Sequence, residues 1–160
     1  MEGEILLQGQ RIRNLQRQAS GCTDELLEIT GDIGKYVIPL CEGENRSMLE
    51  LQCRLLTQRC LYLKERLEQI QSGLQDAVSS CAADDPWAQG ARTTLHVIEQ
   101  DFLLLDQKVS LLQELREASE RTAAQRSAAR KLEDTAGIIS LQRILKEERD
   151  RCRSGNEESD

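Results

Sequence analysis

From Leu49 to Cys81 the apolar residues step along the chain by four and three in strict alternation: Leu49, Cys53, Leu56, Cys60, Leu63, Leu67, Ile70, Leu74, Ala77 and Cys81. A mean step of 3.5 residues nearly matches the turn of an α-helix and cannot line one face of a strand, whose side chains alternate every two residues. The pattern therefore predicts a long helix with one apolar seam, which is stable only when another helix covers that seam. Leu51, Leu55, Leu61 and Tyr62 lie beside the seam in its first half. They widen the stripe, as expected of a helix that meets more than one neighbour.

The same spacing recurs on both sides. Upstream, Ile5, Ile12, Leu15, Ala19, Cys22, Leu26, Ile29 and Ile33 form a seam over residues 1–33, with Gly21 a soft point in the helix interior. Gly31, Gly34, Pro39 and Gly43 then predict a linker over 34–46. Ser47 with Glu50 reads as a capping box that starts the next helix. Downstream, Asp84-Asp85-Pro86 reads as a stop and restart: Asp85 can cap a new helix, and Pro86 suits its first position, where a missing N–H does no harm. A connection this short predicts an antiparallel hairpin over 47–136 with its tip at 84–86. Its second arm carries Ala91, Leu95, Ile98, Phe102, Leu105, Val109 and Leu112, and the frame slips between Leu112 and Leu115. Gly137 predicts a break, followed by a short helical extension over 137–152 bearing Ile138, Leu141, Ile144 and Leu145. Residues 153–160 lack apolar side chains, which predicts a disordered tail. The expected fold is all-α: an elongated helical bundle or coiled coil of three long helices, made of a hairpin, an N-terminal helix and a short C-terminal extension.

Composition narrows the function. Aromatics are 2 % of the chain, so Leu, Ile and Ala must supply the buried surface. The net charge of −7 argues against a nucleic-acid groove, which needs clustered Lys and Arg, and against a basic membrane-binding face. The apolar run behind the acidic start stops at Leu7, too early for a signal peptide or a membrane span. The six cysteines include no Cys-x-x-Cys pair, and reduced thiols filling small core positions are the expectation. His96 is the sole histidine and stands among apolar neighbours, so no metal site or Cys–His dyad is predicted. Asp101 and Asp106 read as helix surface. Gly31-Asp32-Ile33-Gly34-Lys35 has the wrong spacing for a phosphate loop, and helix termination accounts for its glycines.

The expectation is a non-enzymatic subunit of an intracellular, cytoplasmic assembly, a reading also compatible with the nucleus. It would have no cofactor, no small-molecule substrate and no membrane insertion. Its partners would be other helical subunits, and the seam residues Ile12, Leu15, Leu26, Ile29, Leu49, Leu56, Leu63, Leu67, Ile70, Leu74, Leu95, Ile98, Phe102, Leu105 and Leu112 would pack both against each other and against those subunits. Trp87, at the hairpin tip, suits either the closing of the bundle end or the anchoring of a partner. Arg116, Arg121, Arg126, Arg130 and Lys131 form a locally basic stretch that could meet an acidic helix or a microtubule. A cytoskeletal, centrosomal or kinetochore-type assembly is the first expectation. A vesicle-tethering complex is the second, and a nucleic-acid-binding helical dimer the third.

Overall fold

The computed structural model describes residues 2–82 and 84–158, and contains helices and turns but no strand among them. Helix α1 takes Glu2–Asp32, a π-turn Ile33–Val37, α2 Ile38–Cys41, α3 Arg46–Ser79 and α4 Pro86–Glu158. The fold is an all-α helical bundle. The chain divides within α4 into two compact units, Met1–Glu117 and Ala118–Asp160.

In the first unit α1, α3 and the first part of α4 lie side by side in up-down-up order, and cross-helix pairs fix the directions. Gln8 meets Cys81, Leu15 meets Gly73, Glu25 meets Arg66 and Asp32 meets Arg59, so α1 and α3 are antiparallel. Lys64 meets Asp106 and Glu50 meets Arg116, so α3 and α4 are antiparallel. Arg13 lies over Trp87 and Thr23 bonds Asp101, so α1 and α4 run parallel. The core is the set of heptad seams facing one another, with Ile12, Ile29, Leu49, Leu63, Leu67, Leu74, Ile98, Leu105 and Leu112 fully buried. Each such aliphatic side chain contributes roughly 1.5–3 kcal/mol of burial before conformational entropy is counted.

The segment expected as a linker, 34–46, is helical as far as Cys41. The Ile38 N–H bonds the Ile33 carbonyl five residues back, which opens the helix by one residue just ahead of Pro39. That wider turn relieves the clash a proline ring makes with the carbonyl four residues behind it, so the helix passes Pro39 instead of stopping. Ile33 and Val37 remain buried through the turn. The start of α3 also differs from expectation. Asn45, not Ser47, is the N-cap, and its side-chain oxygen accepts from the Met48 N–H at 3.2 Å. Asn ranks at least level with Ser as a cap, and Glu50 is engaged instead by Arg54 and Arg116. At the second connection Asp85 accepts from the Trp87 N–H through its carboxylate at 3.0 Å, and its carbonyl accepts from Gln89, which makes it the cap of α4 with Pro86 first in the helix. Ala83 lies outside the described residues.

In the second unit the backbone is helical from Ala118 to Glu158. The break expected at Gly137 and the disordered tail expected from 153 are not seen up to Glu158; Ser159 and Asp160 lie outside the described residues. A single glycine in a helix interior costs about 1 kcal/mol, less than a long helix can absorb. Glu147 and Arg151, and Lys146 and Asp150, are four apart, the spacing at which opposite charges support a helix.

Candidate partner interface

The fifteen seam residues expected to pack on a partner are used by the chain itself. Twelve are buried in the first unit, and Leu15, Leu95 and Phe102 are half-buried against the same core. The seams thus pack against one another, which is the intramolecular half of the expectation: short connections bring the chain's own helices together. The outward-facing apolar residues are those beside the seam.

Met48, Leu51, Leu55 and Tyr62 follow one another by three, four and seven residues and so share one flank of α3, and all four are exposed. Opposite them the π-turn directs Ile33 and Val37 inward and leaves Tyr36 outside. Between the two helices lies an open groove of about 480 Å³ whose lining includes Glu25, Asp32, Tyr36, Leu55, Arg59 and Tyr62. Two ion pairs stand at its edges. Arg59 donates to Asp32 at 2.6 Å, and Arg66 lies 3.5 Å from Glu25. Part-exposed pairs of this kind add at most about 1 kcal/mol each, so their larger effect is to hold α1 against α3 in register. Lys35 stands 5.2 Å from the centre of the Tyr36 ring. The groove thus has an apolar floor with fixed charges at its rims, the arrangement in which an amphipathic helix seats its apolar face. A shallower depression of about 410 Å³ on α4, lined by Leu103, Asp106, Gln107, Ser110, Leu111 and Glu114, has a more polar character.

Trp87 lies at the end of the first unit. Its ring is so close to Gly9 that a Cβ there would sit 2.7 Å from Cε2, and the Arg13 guanidinium lies 5.2 Å from the ring centre. The residue therefore closes the bundle end with a half-buried ring. Of the basic stretch, Arg116 belongs to the first unit and donates to Glu50 at 3.2 Å. Arg121, Arg126, Arg130 and Lys131 are exposed on α4 in the second unit.

Asp101, expected on the helix surface, is instead inside the bundle. It is 4 % exposed and accepts from the Thr23 hydroxyl at 2.6 Å, joining α4 to α1 inside the bundle. Asp106 is exposed and pairs with Lys64. The spacing held a signal for the difference. Residues 94, 98, 101, 105, 108 and 112 alternate by four and three as well as 95, 98, 102, 105, 109 and 112 do, so Asp101 flanks the seam on the α1 side.

The chemistry of the thiols is set by the core. Burial pushes the Cys22, Cys53 and Cys60 thiols up, and the nearby Arg66, Arg116 and Arg59 oppose this only in part. Such thiols stay protonated and unreactive near neutral pH. His96 is exposed, with Gln100 at 3.4 Å and Glu99 at 4.0 Å. Among the described residues no group of three or more His, Cys, Asp or Glu could hold a metal ion, and no helix is long and apolar enough to cross a membrane. No known protein family, curated protein or solved structure matches the chain.

Proposed function

We propose that this chain is a non-enzymatic subunit of a multi-protein assembly, and that its three-helix unit receives a partner helix along the flank of α3. The observation that carries the reading is the row Met48, Leu51, Leu55 and Tyr62 beside Tyr36. These are large apolar side chains at helical spacing that the bundle's own core does not use. The partner's matching surface is an amphipathic helix with an aliphatic face for Leu55 and Tyr62 and charged flanks for Arg59 and Glu25. The acidic composition and the protonated core thiols suit an intracellular assembly of cytoskeletal or centrosomal type.

The test is affinity purification with mass spectrometry of the full chain beside a Leu55→Glu/Tyr62→Glu variant. Both residues are exposed, so the melting temperature should hold while specific helical partners are lost. An unchanged partner set with the fold intact would refute the docking surface. Co-purification with tubulin or centrosomal proteins is the result expected of the assembly type, and recovery with vesicle-tethering proteins would replace it.

A further inference from the structure

We propose that the first unit pairs with a second copy of this chain through the outward face of α1, the two copies of α1 lying antiparallel, in a homodimer contact separate from the α3 groove. Arg13, Arg17, Ser20, Gly21, Asp24 and Glu28 are all exposed. At about 3.6 residues per turn they span an arc of about 100°, on the side of α1 opposite the buried Ile12, Ala19 and Leu26. They share one face, and the bundle's core does not use it. Along this face like charges stand four apart, Arg13 with Arg17 and Asp24 with Glu28, a spacing that works against a helix standing alone. Among the described residues Arg17, Asp24 and Glu28 have no ion pair or side-chain hydrogen bond. Arg13 lies over the Trp87 ring, a contact that involves no hydrogen bond.

The order of the charges selects the occupant and its direction. Arg13 and Glu28, Arg17 and Asp24, and Ser20 and Gly21 are each symmetric about the bond between residues 20 and 21. A copy of this face turned end for end therefore sets Arg17 against Asp24 and Arg13 against Glu28, each twice, by the two-fold symmetry. A parallel copy would set like against like. The crossing itself holds two small side chains, Ser20 and Gly21, at the point where the two backbones come nearest. A Cβ added to Gly21 meets nothing within 4 Å, so the bundle's own packing does not require glycine there. A helix interior disfavours it, and the close approach of a second backbone gives it a use. The face is thus self-complementary in charge and in shape, which a two-fold contact demands.

Sedimentation reads out the pairing. The full chain should be a dimer in low salt and should dissociate as salt is raised, because the contact is chiefly electrostatic. Arg17→Asp alone and Asp24→Arg alone should each weaken the dimer at least tenfold, since each leaves like charges facing across the contact. Mixed together, these two variants should form a heterodimer. The double variant Arg17→Asp/Asp24→Arg should dimerise again, because the exchanged charges complement one another. A parallel pair would not respond in this way, as it sets like against like before and after either reversal. Gly21→Leu should also weaken the dimer, by placing a large side chain at the crossing. All the substituted positions are exposed, and circular dichroism controls for folding. An unaltered chain that stays monomeric in low salt at about 100 µM, tenfold above a Kd of about 10 µM, would overturn the proposal. So would a dimer that survives both reversals, or a charge exchange without rescue. The Leu55→Glu/Tyr62→Glu variant should dimerise normally, so the two contacts can fail independently.

Discussion

Both units carry large aliphatic residues and treat them in opposite ways. In the first, Leu63, Leu67 and Leu105 are essentially inaccessible; in the second, Leu132, Leu141, Ile144 and Leu145 are 53–72 % exposed. The difference comes from connection length. The first unit has two short connections that return the chain on itself, so each seam finds the others within one molecule. The second unit is one helix, whose exposed aliphatic residues are nine, three and one apart and have no other helix of that unit to cover them. A heptad thus marks a face that needs covering and says nothing about which chain covers it.

The comparison is broken most directly by placing the same substitution in each unit. Leu63→Asp puts an unpartnered carboxylate in the core and should destabilise the first unit by more than about 4 kcal/mol, enough to unfold a marginal bundle. Leu145→Asp should leave the thermal transition of the first unit where it is. Equal losses of the circular dichroism melt would show that the units do not differ as described. Thiol labelling contrasts the units at nearly the same scale. Cys152 should react at once, and Cys22, Cys53 and Cys60 should react ~10³-fold more slowly, through opening of the bundle. Because burial raises these three thiols above the ordinary value of 9.0, the folded state holds protons there that the unfolded chain gives up. Their stabilising effect is complete below pH 9.0 and is lost as pH rises through the raised values, so the melting temperature should fall in alkali. A melt unchanged between pH 8 and pH 10.5, a window of about that width being set by the reference thiol value, would contradict their burial.

Smaller effects sharpen the description of the first unit. Asp101→Ala removes the one buried charged side chain among the described residues and its bond to Thr23. The Thr23 hydroxyl, freed from Asp101, can donate instead to the Ala19 carbonyl 3.2 Å away, so the loss should be about 1–2 kcal/mol, not more. A gain in stability would show that the pair is held for register alone. Gly9→Ala should cost about 1–3 kcal/mol by forcing the Trp87 ring aside. The single tryptophan makes the displacement visible as a shift in fluorescence, and an unmoved spectrum would remove the close contact. The smallest change is a gain. Gly21 has nothing within 4 Å of an added Cβ, so Gly21→Ala should stabilise its helix by about 0.5–1 kcal/mol.

The candidate interface was partly legible in the sequence. Leu51, Leu55 and Tyr62 stood out as apolar residues beside the seam, because helical angle follows from residue number alone. Tyr36 could not be assigned to the same groove, since its position depends on a π-turn that carries the helix past Pro39. Glycines and a proline look alike whether they end a helix or merely widen it. Asp101 was placed correctly along α4, but its burial depends on Thr23, far away in the chain. Trp87 was seen at the hairpin tip, yet only the approach of Gly9 shows what the ring covers.

Local pattern alone determined that the chain is helical, where the tip of the hairpin falls, and which face of each helix must be hidden, because periodicity and capping depend on residues within a turn or two of one another. The tertiary structure decided that the seams close on each other within one molecule, that one aspartate sits inside, and that an apolar row remains outside. Those outcomes depend on which distant helices meet and how much surface they cover, and spacing along a single helix carries no information about either.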